Sequence, residues 1–272
     1  MKKTILITGA SRGFGKLWAK AFLKRGDQVA ATARNLSDLN DLVEEFGDLV
    51  VPIQLDVTDR AATFEAVNYA NSALGSIDVL INNAGFGLFG TIEENTEEEA
   101  RQQIETNVFG LLWVTQAVLP IMRNQKKGHI LQLSSALGLT AVPVLGLYSA
   151  SKFAVEGLSE SLATEVAGFG IKVTLVEPNG FETDWAGASS AQSEPMEEYA
   201  AVREAFKNST KPGDYGNPEA TSPAILALVD SENPPLRLFL GKIAYPWIKG
   251  VYEQKLATWE EWKDVSAAAH GV

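Results

Sequence analysis

Short runs rich in apolar and β-branched residues alternate along most of this chain with longer segments whose apolar residues recur at the spacing of a helix. Seven such runs predict strands, at residues 4–8, 28–33, 49–55, 77–81, 129–133, 171–176 and 236–240. Strands that are joined by helical crossovers run parallel in one sheet. The alternation therefore predicts an α/β fold, a doubly wound and mainly parallel seven-stranded sheet flanked by helices.

Length and composition favour a single domain, residues 1–272, without disulfide bonds. The chain has 272 residues, of which 46% are hydrophobic, and this is enough for one well-buried core. It has no cysteine, which excludes disulfides, thiolate nucleophiles and cysteine-based zinc sites. The two histidines, His129 and His270, do not lie in settings that suggest a Ser-His-Asp triad. The glutamates at 93–94 and 97–99 are typical of a solvated helix start, so we predict no metal site.

The charge distribution indicates the kind of partner. A net charge of −11 argues against nucleic acid. Residues 1–34 nevertheless carry eight basic side chains and one acidic side chain, which favours binding of a small anion there. No signal-peptide pattern and no apolar run of 18 residues is present in the sequence. We therefore expect a cytoplasmic protein without membrane insertion.

A glycine-rich turn follows the first predicted strand and precedes a helical pattern over residues 16–24. Its glycines are Gly9, Gly13 and Gly15, and their G-x-x-x-G-x-G spacing differs from the G-x-G-x-x-G fingerprint of many dinucleotide sites. At a strand–turn–helix junction, free backbone N–H groups and the helix dipole attract an anion. The turn predicts phosphate binding, with an ordinary tight turn as the alternative.

Two arginines near this turn indicate which dinucleotide would bind. Many dinucleotide sites hold the adenosine ribose 2′-hydroxyl with an acidic residue after the second strand, whereas an arginine there accommodates a 2′-phosphate. In this sequence Arg34 follows the second strand directly, the next acid is Asp38, and Arg12 lies in the glycine turn. The pattern favours NADP over NAD, with two surface arginines as the alternative.

Small or polar residues also follow the other predicted strands. They are Asp56, residues 82–85 (Asn-Asn-Ala-Gly), Ser135 and residues 178–180 (Pro-Asn-Gly). Open parallel sheets bind their ligands at the carboxyl ends of the strands. We expect these residues to share one ligand-binding edge with the glycine turn.

Tyr148 and Lys152 are four residues apart at the start of a helical pattern, so their side chains lie on one helix face. Ser135, at the end of the preceding strand, can bring a hydroxyl group to the same place. A lysine cation about 4 Å from a phenol favours the phenolate by about 4 kcal/mol at an effective dielectric constant of 20. We therefore expect Lys152 to lower the pKa of Tyr148 toward neutrality, where acid–base catalysis is most effective. Alone, the pair also fits a half-buried aromatic residue beside a solvated lysine.

Together these motifs resemble those of the short-chain dehydrogenase/reductase family, over roughly residues 3–184 and 218–241. The motifs are residues 8–15 (TGASRGFG), Asp56, residues 82–85, Asn107, Ser135, Tyr148, Lys152 and residues 178–180. The resemblance implies a Rossmann fold and an NADP(H)-dependent oxidoreductase that interconverts a ketone or aldehyde and an alcohol. The glycine spacing of this turn is the form that the family uses.

The resemblance also implies roles. Tyr148 would exchange a proton with the substrate oxygen, Lys152 would lower the tyrosine pKa and hold the nicotinamide ribose, and Ser135 would hydrogen-bond the substrate. Asn107 would position a water between Lys152 and solvent. The residues implied to contact the cofactor are Gly9, Ser11, Arg12, Gly13, Phe14, Gly15, Arg34, Asp56 (adenine), Val57, Asn83 (adenosine ribose), Ala84, Gly85, Tyr148, Lys152, Pro178, Gly180 and Thr183 (nicotinamide amide).

Residues outside the motifs leave the substrate open. Residues 181–217 predict a mobile, partly helical lid, and residues 242–272 predict a helical extension rich in aromatic side chains. Asn179 separates a proline and a glycine that are adjacent in the commoner pattern. Apolar residues that would line a pocket, or serve as ordinary core, are Leu137, Val142, Val144, Leu145 and Trp185.

Three alternatives concern function and assembly. The enzyme could act mainly in oxidation, on an alcohol, steroid or retinoid, because sequence does not decide the direction. A non-catalytic dinucleotide sensor is the alternative from another class, but a binding module needs no complete set of proton-transfer residues. Long helices, predicted at residues 96–122 and 147–168, favour a homodimer or homotetramer.

Overall fold

The structure, a computed structural model, describes residues 2–187, 190–211 and 213–271. Seven parallel strands form one sheet in the order β3-β2-β1-β4-β6-β7-β9. These strands are β1 (Thr4–Ile7), β2 (Gln28–Ala33), β3 (Val50–Gln54), β4 (Val79–Asn82), β6 (Gly128–Leu133), β7 (Ile171–Pro178) and β9 (Arg237–Leu240). All seven predicted strands are present, and their ends lie within two residues of the predicted limits.

Helices cover both faces of the sheet, as predicted. The helices are α1 (Gly13–Arg25), α2 (Asn40–Phe46), α3 (Arg60–Leu74), α4 (Glu97–Ile104), α5 (Leu111–Gln125), α6 (Gly146–Val166), α7 (Ala200–Asn208), α8 (Ser222–Asp230), α9 (Ala244–Glu261) and α10 (Lys263–Ala268). Helices α1, α2 and α8 form one core with the sheet, and α3, α5 and α6 form the other. Strand β1 contributes side chains to both cores, since Ile5 and Ile7 face the first and Leu6 faces the second.

The parallel strands bring their carboxyl ends to one edge. Strand order runs outward in both directions from the neighbours β1 and β4, so the switch point of the sheet lies between these two strands. Crevices at such switch points are the usual ligand sites of doubly wound folds. The segments after β1, β4, β6 and β7 therefore meet where the sequence predicted a site.

Residues 97–125 form one continuous helical rod with a π-helical turn, Glu105–Gly110, between α4 and α5. Asn107 lies in this turn and not in the regular helix that the apolar period predicted. The rod is long enough to cross a membrane, and an 18-residue stretch of it is apolar, with a mean hydropathy of 1.3. However, Val114, Val118 and Met122 are buried against the sheet, which is typical of a core helix.

The predicted lid carries a short strand that its composition did not indicate. Strand β8 (Ala191–Gln192) pairs in parallel with β5 (Leu88–Phe89) in a separate two-stranded sheet, and α7 follows. Two residues are too few to show a strand period, which explains why the sequence did not predict it. Residues 188, 189 and 212 of the predicted lid, and residue 272 of the predicted extension, lie outside the described residues.

The C-terminal extension is helical. Helix α9 packs through Ala244 and Ile248 against Ala136 and Leu139, so it supports the segment just after β6.

Candidate active site

The glycine turn between β1 and α1 has a backbone that only glycine accepts easily. Gly9 and Gly13 have φ angles of +67° and +54°. A side chain on Gly15 would overlap the carbonyl oxygen of Gly9 and the amide of Asn83. This crowding brings the start of α1 close to the sheet edge.

The amino end of α1 fits the pyrophosphate of a dinucleotide. Arg12, the N-cap residue of α1, makes no capping hydrogen bond through its side chain to any residue that the structure describes, and the first turn of α1 contains no acidic residue. The N–H groups of that turn and the helix dipole are thus available to an anion. A Cβ on Gly13 would have no atom within 4 Å, so the turn leaves room for a ligand there.

Asn83 braces this turn. Its side-chain amide donates to the carbonyl oxygens of Thr8 and Gly9, both at 2.9 Å, and the Thr8 hydroxyl accepts from the N–H groups of Asn83 and Ala84. Gly85 is confined by Asn107, whose Oδ1 would lie 2.9 Å from an added Cβ. Residues 83–85 therefore hold the loops after β1 and β4 together, and the predicted ribose contact of Asn83 stays a prediction.

Asp56 and Val57 follow β3 at the same edge. The Oδ1 atom of Asp56 accepts from the N–H and the hydroxyl of Thr58, at 3.0 and 2.7 Å, which fixes the carboxylate beside the strand end. Val57 is buried and packs where a Cβ on Gly110 would stand. These positions fit the predicted adenine side of a cofactor site.

Arg12 and Arg34 lie at the edge formed by the neighbouring strands β1 and β2, and both side chains are exposed. The carbonyl oxygen of Arg34 accepts a hydrogen bond from the side chain of Gln54, so its backbone is held. Ser11 and Phe14 complete the turn, and the ring of Phe14 stacks on Trp18 with centroids 5.0 Å apart. The placement agrees with a phosphate-binding role for the two arginines.

Ser135, Tyr148 and Lys152 come together at the ends of β6 and α6, and all three are buried. The ammonium of Lys152 donates to the carbonyl oxygen of Leu133 at 2.7 Å and lies 5.7 Å from the centre of the Tyr148 ring. Ser135 adopts extended backbone at the start of a turn, and its Oγ accepts from the N–H of Leu137. The hydroxyl, phenol and ammonium predicted from the sequence therefore share one site.

The expected effect of Lys152 on the tyrosine was wrong for this structure. Burial raises the pKa of Tyr148 above its ordinary value, and a hydrogen bond with Ser135 opposes this only in part. Burial also lowers the pKa of Lys152 to about 8, against the attraction of Glu156. Removal of water disfavours the charged form of both groups, and it is the largest cause of both shifts.

Asn107 connects this site to the loop after β4. Its amide accepts from the N–H of Phe86 at 3.1 Å and donates to the Phe86 carbonyl oxygen and to the hydroxyl of Ser151, at 3.0 and 3.1 Å. The π-helical turn directs the side chain inward, and such turns are frequent at functional sites. The predicted water relay through Asn107 stays a prediction.

Pro178 ends β7, and Gly180 and Thr183 follow it along the same edge. The carbonyl oxygen of Gly180 accepts from Gly216, and the hydroxyl of Thr183 accepts from the N–H of Trp185. These bonds order the segment that the sequence assigned to the nicotinamide. The contacts themselves stay predictions.

Some residues of the site were missed by the sequence analysis. Gly87 leaves room for the indole of Trp185, which would overlap a side chain there. Trp185 itself lies over Tyr148, with ring centroids 4.8 Å apart. Glu156 and Glu177 are buried close to the site. The sequence signal that could have identified them is an acidic residue on an apolar helix face for Glu156 and in an apolar strand for Glu177.

Comparison with known proteins identifies the family. Residues 3–194 match the family described as short chain dehydrogenase. The chain belongs to the short-chain dehydrogenase family. Members of this family use a nicotinamide dinucleotide, and the uncapped end of α1 and the glycine turn fit that group.

Relatives in this family have several activities. The chain is 41% identical to oxidoreductase BOA17 of Botryotinia fuckeliana, over 99% of this chain and 100% of that protein. It is 41% identical to 3-ketodihydrosphingosine reductase of Bacteroides thetaiotaomicron, over 88% of each chain. It is 34% identical to human retinol dehydrogenase 8, over 86% of this chain and 80% of that one.

Solved members of the family share the fold. A short-chain dehydrogenase from Streptomyces avermitilis has a TM-score of 0.91 and 39% identity, over 98% of both chains. ElxO, solved with NADP bound, has a TM-score of 0.75 and 27% identity, over 90% of this chain and 100% of that chain. The seven-stranded parallel Rossmann sheet is thus the fold of the family.

Proposed function

We propose that this protein is an NADPH-dependent carbonyl reductase that converts a ketone or aldehyde to an alcohol. The observation that carries the proposal is that Ser135, Tyr148 and Lys152 lie together in a buried site, at the same edge of the sheet as the uncapped amino end of α1. NADPH, when bound, supplies the hydride. The chain supplies orientation, a proton and exclusion of water.

Each of the three side chains has a distinct task. The Ser135 hydroxyl and the Tyr148 phenol bind the substrate oxygen, and the phenol gives it a proton. Lys152 is mainly protonated at pH 7, because its pKa is about 8. Its positive charge stabilises the phenolate that remains after proton transfer.

The protonation state of Tyr148 is the one that a proton donor to a carbonyl oxygen needs. Burial raises its pKa, so the phenol carries its proton throughout the neutral range. A protonated phenol is the donor that carbonyl reduction needs. Alcohol oxidation needs the phenolate instead.

The surroundings of Tyr148 favour an apolar substrate. Trp185 lies against Tyr148 and against Phe89, whose ring also meets Phe206 at 6.4 Å between centroids. Such a wall binds an alkyl chain or a planar ring through burial of apolar area. The relatives named for a long-chain ketone and for retinol support this class.

Two exposed arginines support NADPH as the cofactor, together with NADP in the solved relative ElxO. The cytoplasmic location, expected because the sequence shows no signal-peptide pattern and no long apolar run, stays a prediction, and so does the homo-oligomer that the resemblance implies. Phe109, Phe153 and Leu158 on the long helices are exposed apolar residues that a subunit contact would cover.

Replacement of Tyr148 by Phe tests the proposal. The change removes only the proton donor, so kcat for ketone reduction should fall by about 100-fold or more. NADPH affinity, measured by quenching of tryptophan fluorescence, should stay close to that of the unchanged protein. Retained turnover in Tyr148→Phe would refute the donor role. Tight NADPH binding by the unchanged protein, without turnover of any ketone or aldehyde in a panel, would favour a dinucleotide sensor.

A further inference from the structure

Three buried polar side chains and one partly exposed arginine form a cluster next to the catalytic residues. They are Ser134 at the end of β6, Glu156 on α6, Glu177 on β7 and Arg237 on β9. None of them has a role in the reduction described above. The side chains of Glu156 and Glu177 are 7% and 0% exposed, so their burial needs a compensating partner.

Glu156 is the centre of this cluster. Its Oε1 atom accepts from the hydroxyl of Ser134 at 2.5 Å, and its Oε2 atom accepts from Nε and Nη2 of Arg237 at 3.1 and 2.9 Å. The Nη2 atom of Arg237 also donates to Glu160 at 2.7 Å. Glu156 therefore joins β6, α6 and β9 through charge-assisted hydrogen bonds.

Glu177 lacks a comparable partner. Arg237 Nε lies 3.1 Å from Glu177 Oε1, but its hydrogen bond goes to Glu156. Neither oxygen of Glu177 has a hydrogen-bond partner among the residues that the structure describes. Burial, followed by repulsion from Glu156, raises the pKa of Glu177 to about 8. Two adjacent carboxyl groups that share a site hold one proton between them.

The cluster touches each element that carries a catalytic residue. Ser134 stands between Leu133, whose carbonyl oxygen binds Lys152, and Ser135. Glu156 lies one helical turn after Lys152. A side chain on Gly138 would overlap Ser134 and Glu156, so the turn after Ser135 rests on this pair. Glu177 directly precedes Pro178.

We propose that Glu156 is a positioning residue for Lys152 and Ser135, and that Glu177 holds the proton that lets both carboxyl groups share Arg237. The proposal rests on the proposed function for the tasks of Lys152 and Ser135. Glu156 fixes the strand end that binds the Lys152 ammonium, and its charge keeps that ammonium protonated at neutral pH. Glu177, when protonated, adds no further charge beside it.

The charged groups that face Glu177 come from the elements packed against β7. Helix α6 contributes Glu156, and β9 contributes Arg237, whose Nε lies 3.1 Å from Glu177 Oε1. The other charged groups of α6 nearby have other partners, since Glu160 binds Arg237 and Lys152 binds the carbonyl oxygen of Leu133. Strand β6 contributes only the hydroxyl of Ser134 at this end, because its one titratable residue, His129, lies at the opposite end.

The first test uses the cofactor-free protein. The folded protein holds a proton on Glu177 up to about pH 8, whereas an unfolded glutamate loses it near its ordinary value, so this contribution to stability is lost as the pH rises between the two. Relative to Glu177→Gln, the unchanged protein should lose on the order of 5 °C in Tm from pH 5 to pH 8. Parallel Tm curves would refute the shared proton.

The second test measures Lys152 directly, by NMR of cofactor-free protein with 13C-labelled lysine and assignment through Lys152→Arg. Lys152 should titrate near pH 8 and at a clearly lower pH in Glu156→Gln. Glu160→Gln is the matched control, because Glu160 binds the same arginine but is 56% exposed. Equal titrations in all three proteins would refute the positioning role, whether or not the protein is a reductase.

Activity completes the design. The alkaline limb of the pH profile of kcat/KM should move to lower pH in Glu156→Gln, with about a tenfold to 100-fold loss at pH 7. Ser134→Ala removes the hydrogen bond between Ser134 and Glu156 by a smaller change. It tests the positioning role if Glu156→Gln does not fold. If activity falls in Glu156→Gln but the alkaline limb of the profile stays at the same pH, the role of Glu156 is merely structural. Inactivity of the unchanged protein would refute the proposed function alone.

Discussion

The indole of Trp185 contacts the Tyr148 ring because Gly87, nearly a hundred residues earlier, has no side chain to block it. The hydroxyl of Thr183 accepts from the N–H of Trp185 and fixes the turn that carries the indole. The tryptophan therefore lies against the ring of the proposed proton donor. Its position suits a residue that selects the substituent next to the carbonyl group.

Replacement of Trp185 by Ala should raise KM for a ketone with a long alkyl or aromatic substituent by about tenfold, because the apolar wall is lost. KM for a small ketone such as acetone should change little. Trp185→Phe should recover most of the affinity. Trp259→Ala, an exposed tryptophan on α9, is the control. Equal changes for large and small ketones would contradict the wall.

The proposed function assigns cofactor choice to Arg34, at the same scale. Arg34→Asp removes a partner of the 2′-phosphate and adds repulsion, so the NADPH affinity should fall by about 100-fold while NADH affinity changes little or rises. Fluorescence titration with both dinucleotides measures the ratio. Arg123→Asp, an exposed position on α5, should leave it unchanged. An unaltered ratio in Arg34→Asp would make that arginine a surface charge.

The predicted lid, residues 181–217, is held by side-chain contacts as well as by its short two-stranded sheet. Glu94, with its side chain buried, accepts from the N–H groups of Thr91 and Met196 and forms an ion pair with Arg203 on α7. Burial alone would raise the pKa of Glu94, but these bonds outweigh it and lower the pKa to about 2. The Glu94 carboxylate is therefore charged at every ordinary pH.

Arg203→Met should loosen this element, because it leaves a buried carboxylate without its cation. Hydrogen exchange of residues 190–206 should become at least about tenfold faster, and KM for an apolar ketone should rise. NADPH affinity should be retained, since the glycine turn is not touched. Lys207→Met, an exposed neighbour on α7, is the control. Unchanged exchange would show that the sheet with β5 holds the lid alone.

The sequence predicted the elements whose signals are local. Alternation of apolar runs and helical periods placed all seven strands of the large sheet, and the polar strand ends placed Ser135, Tyr148 and Lys152 at one edge. It missed β8 and the contact between Trp185 and Gly87, which depend on tertiary packing. It also gave the wrong direction for the Tyr148 pKa, because the depth of burial cannot be read from an i, i+4 spacing.

At the scale of the whole molecule, two buried groups make stability depend on pH in opposite ways. Glu177 reduces stability as the pH rises toward 8, as argued above. His129 acts on the acid side, since burial and the nearby Lys172 and Lys3 lower its pKa to about 4. The two ranges overlap between about pH 4.5 and 6.5, where the effects offset each other, so the joint contribution of these two groups to stability should be greatest in mildly acidic solution.

The hydrogen bonds of His129 explain why it resists protonation. The Thr174 hydroxyl donates to the carbonyl oxygen of Pro235, so it accepts from His129 Nε2 at 3.0 Å, and the neutral ring carries its proton there. The Nδ1 atom has no partner among the described residues. Protonation would thus bury a charged N–H group without an acceptor.

His129→Gln should remove the acid-side dependence. In the unchanged protein the stability of this group is present above the unfolded pKa near 6.5 and is lost as the pH falls toward 4, by about 3 kcal/mol. Denaturant unfolding at pH 7 and pH 4.5 measures the difference. Relative to His129→Gln, the unchanged protein should lose unfolding free energy from pH 7 to pH 4.5, and this comparison cancels the opposite contribution of Glu177, which both proteins share. His270→Gln should behave like the unchanged protein, because His270 is exposed. An equal loss of stability in both variants would mean that carboxylate ion pairs, rather than His129, control acid unfolding.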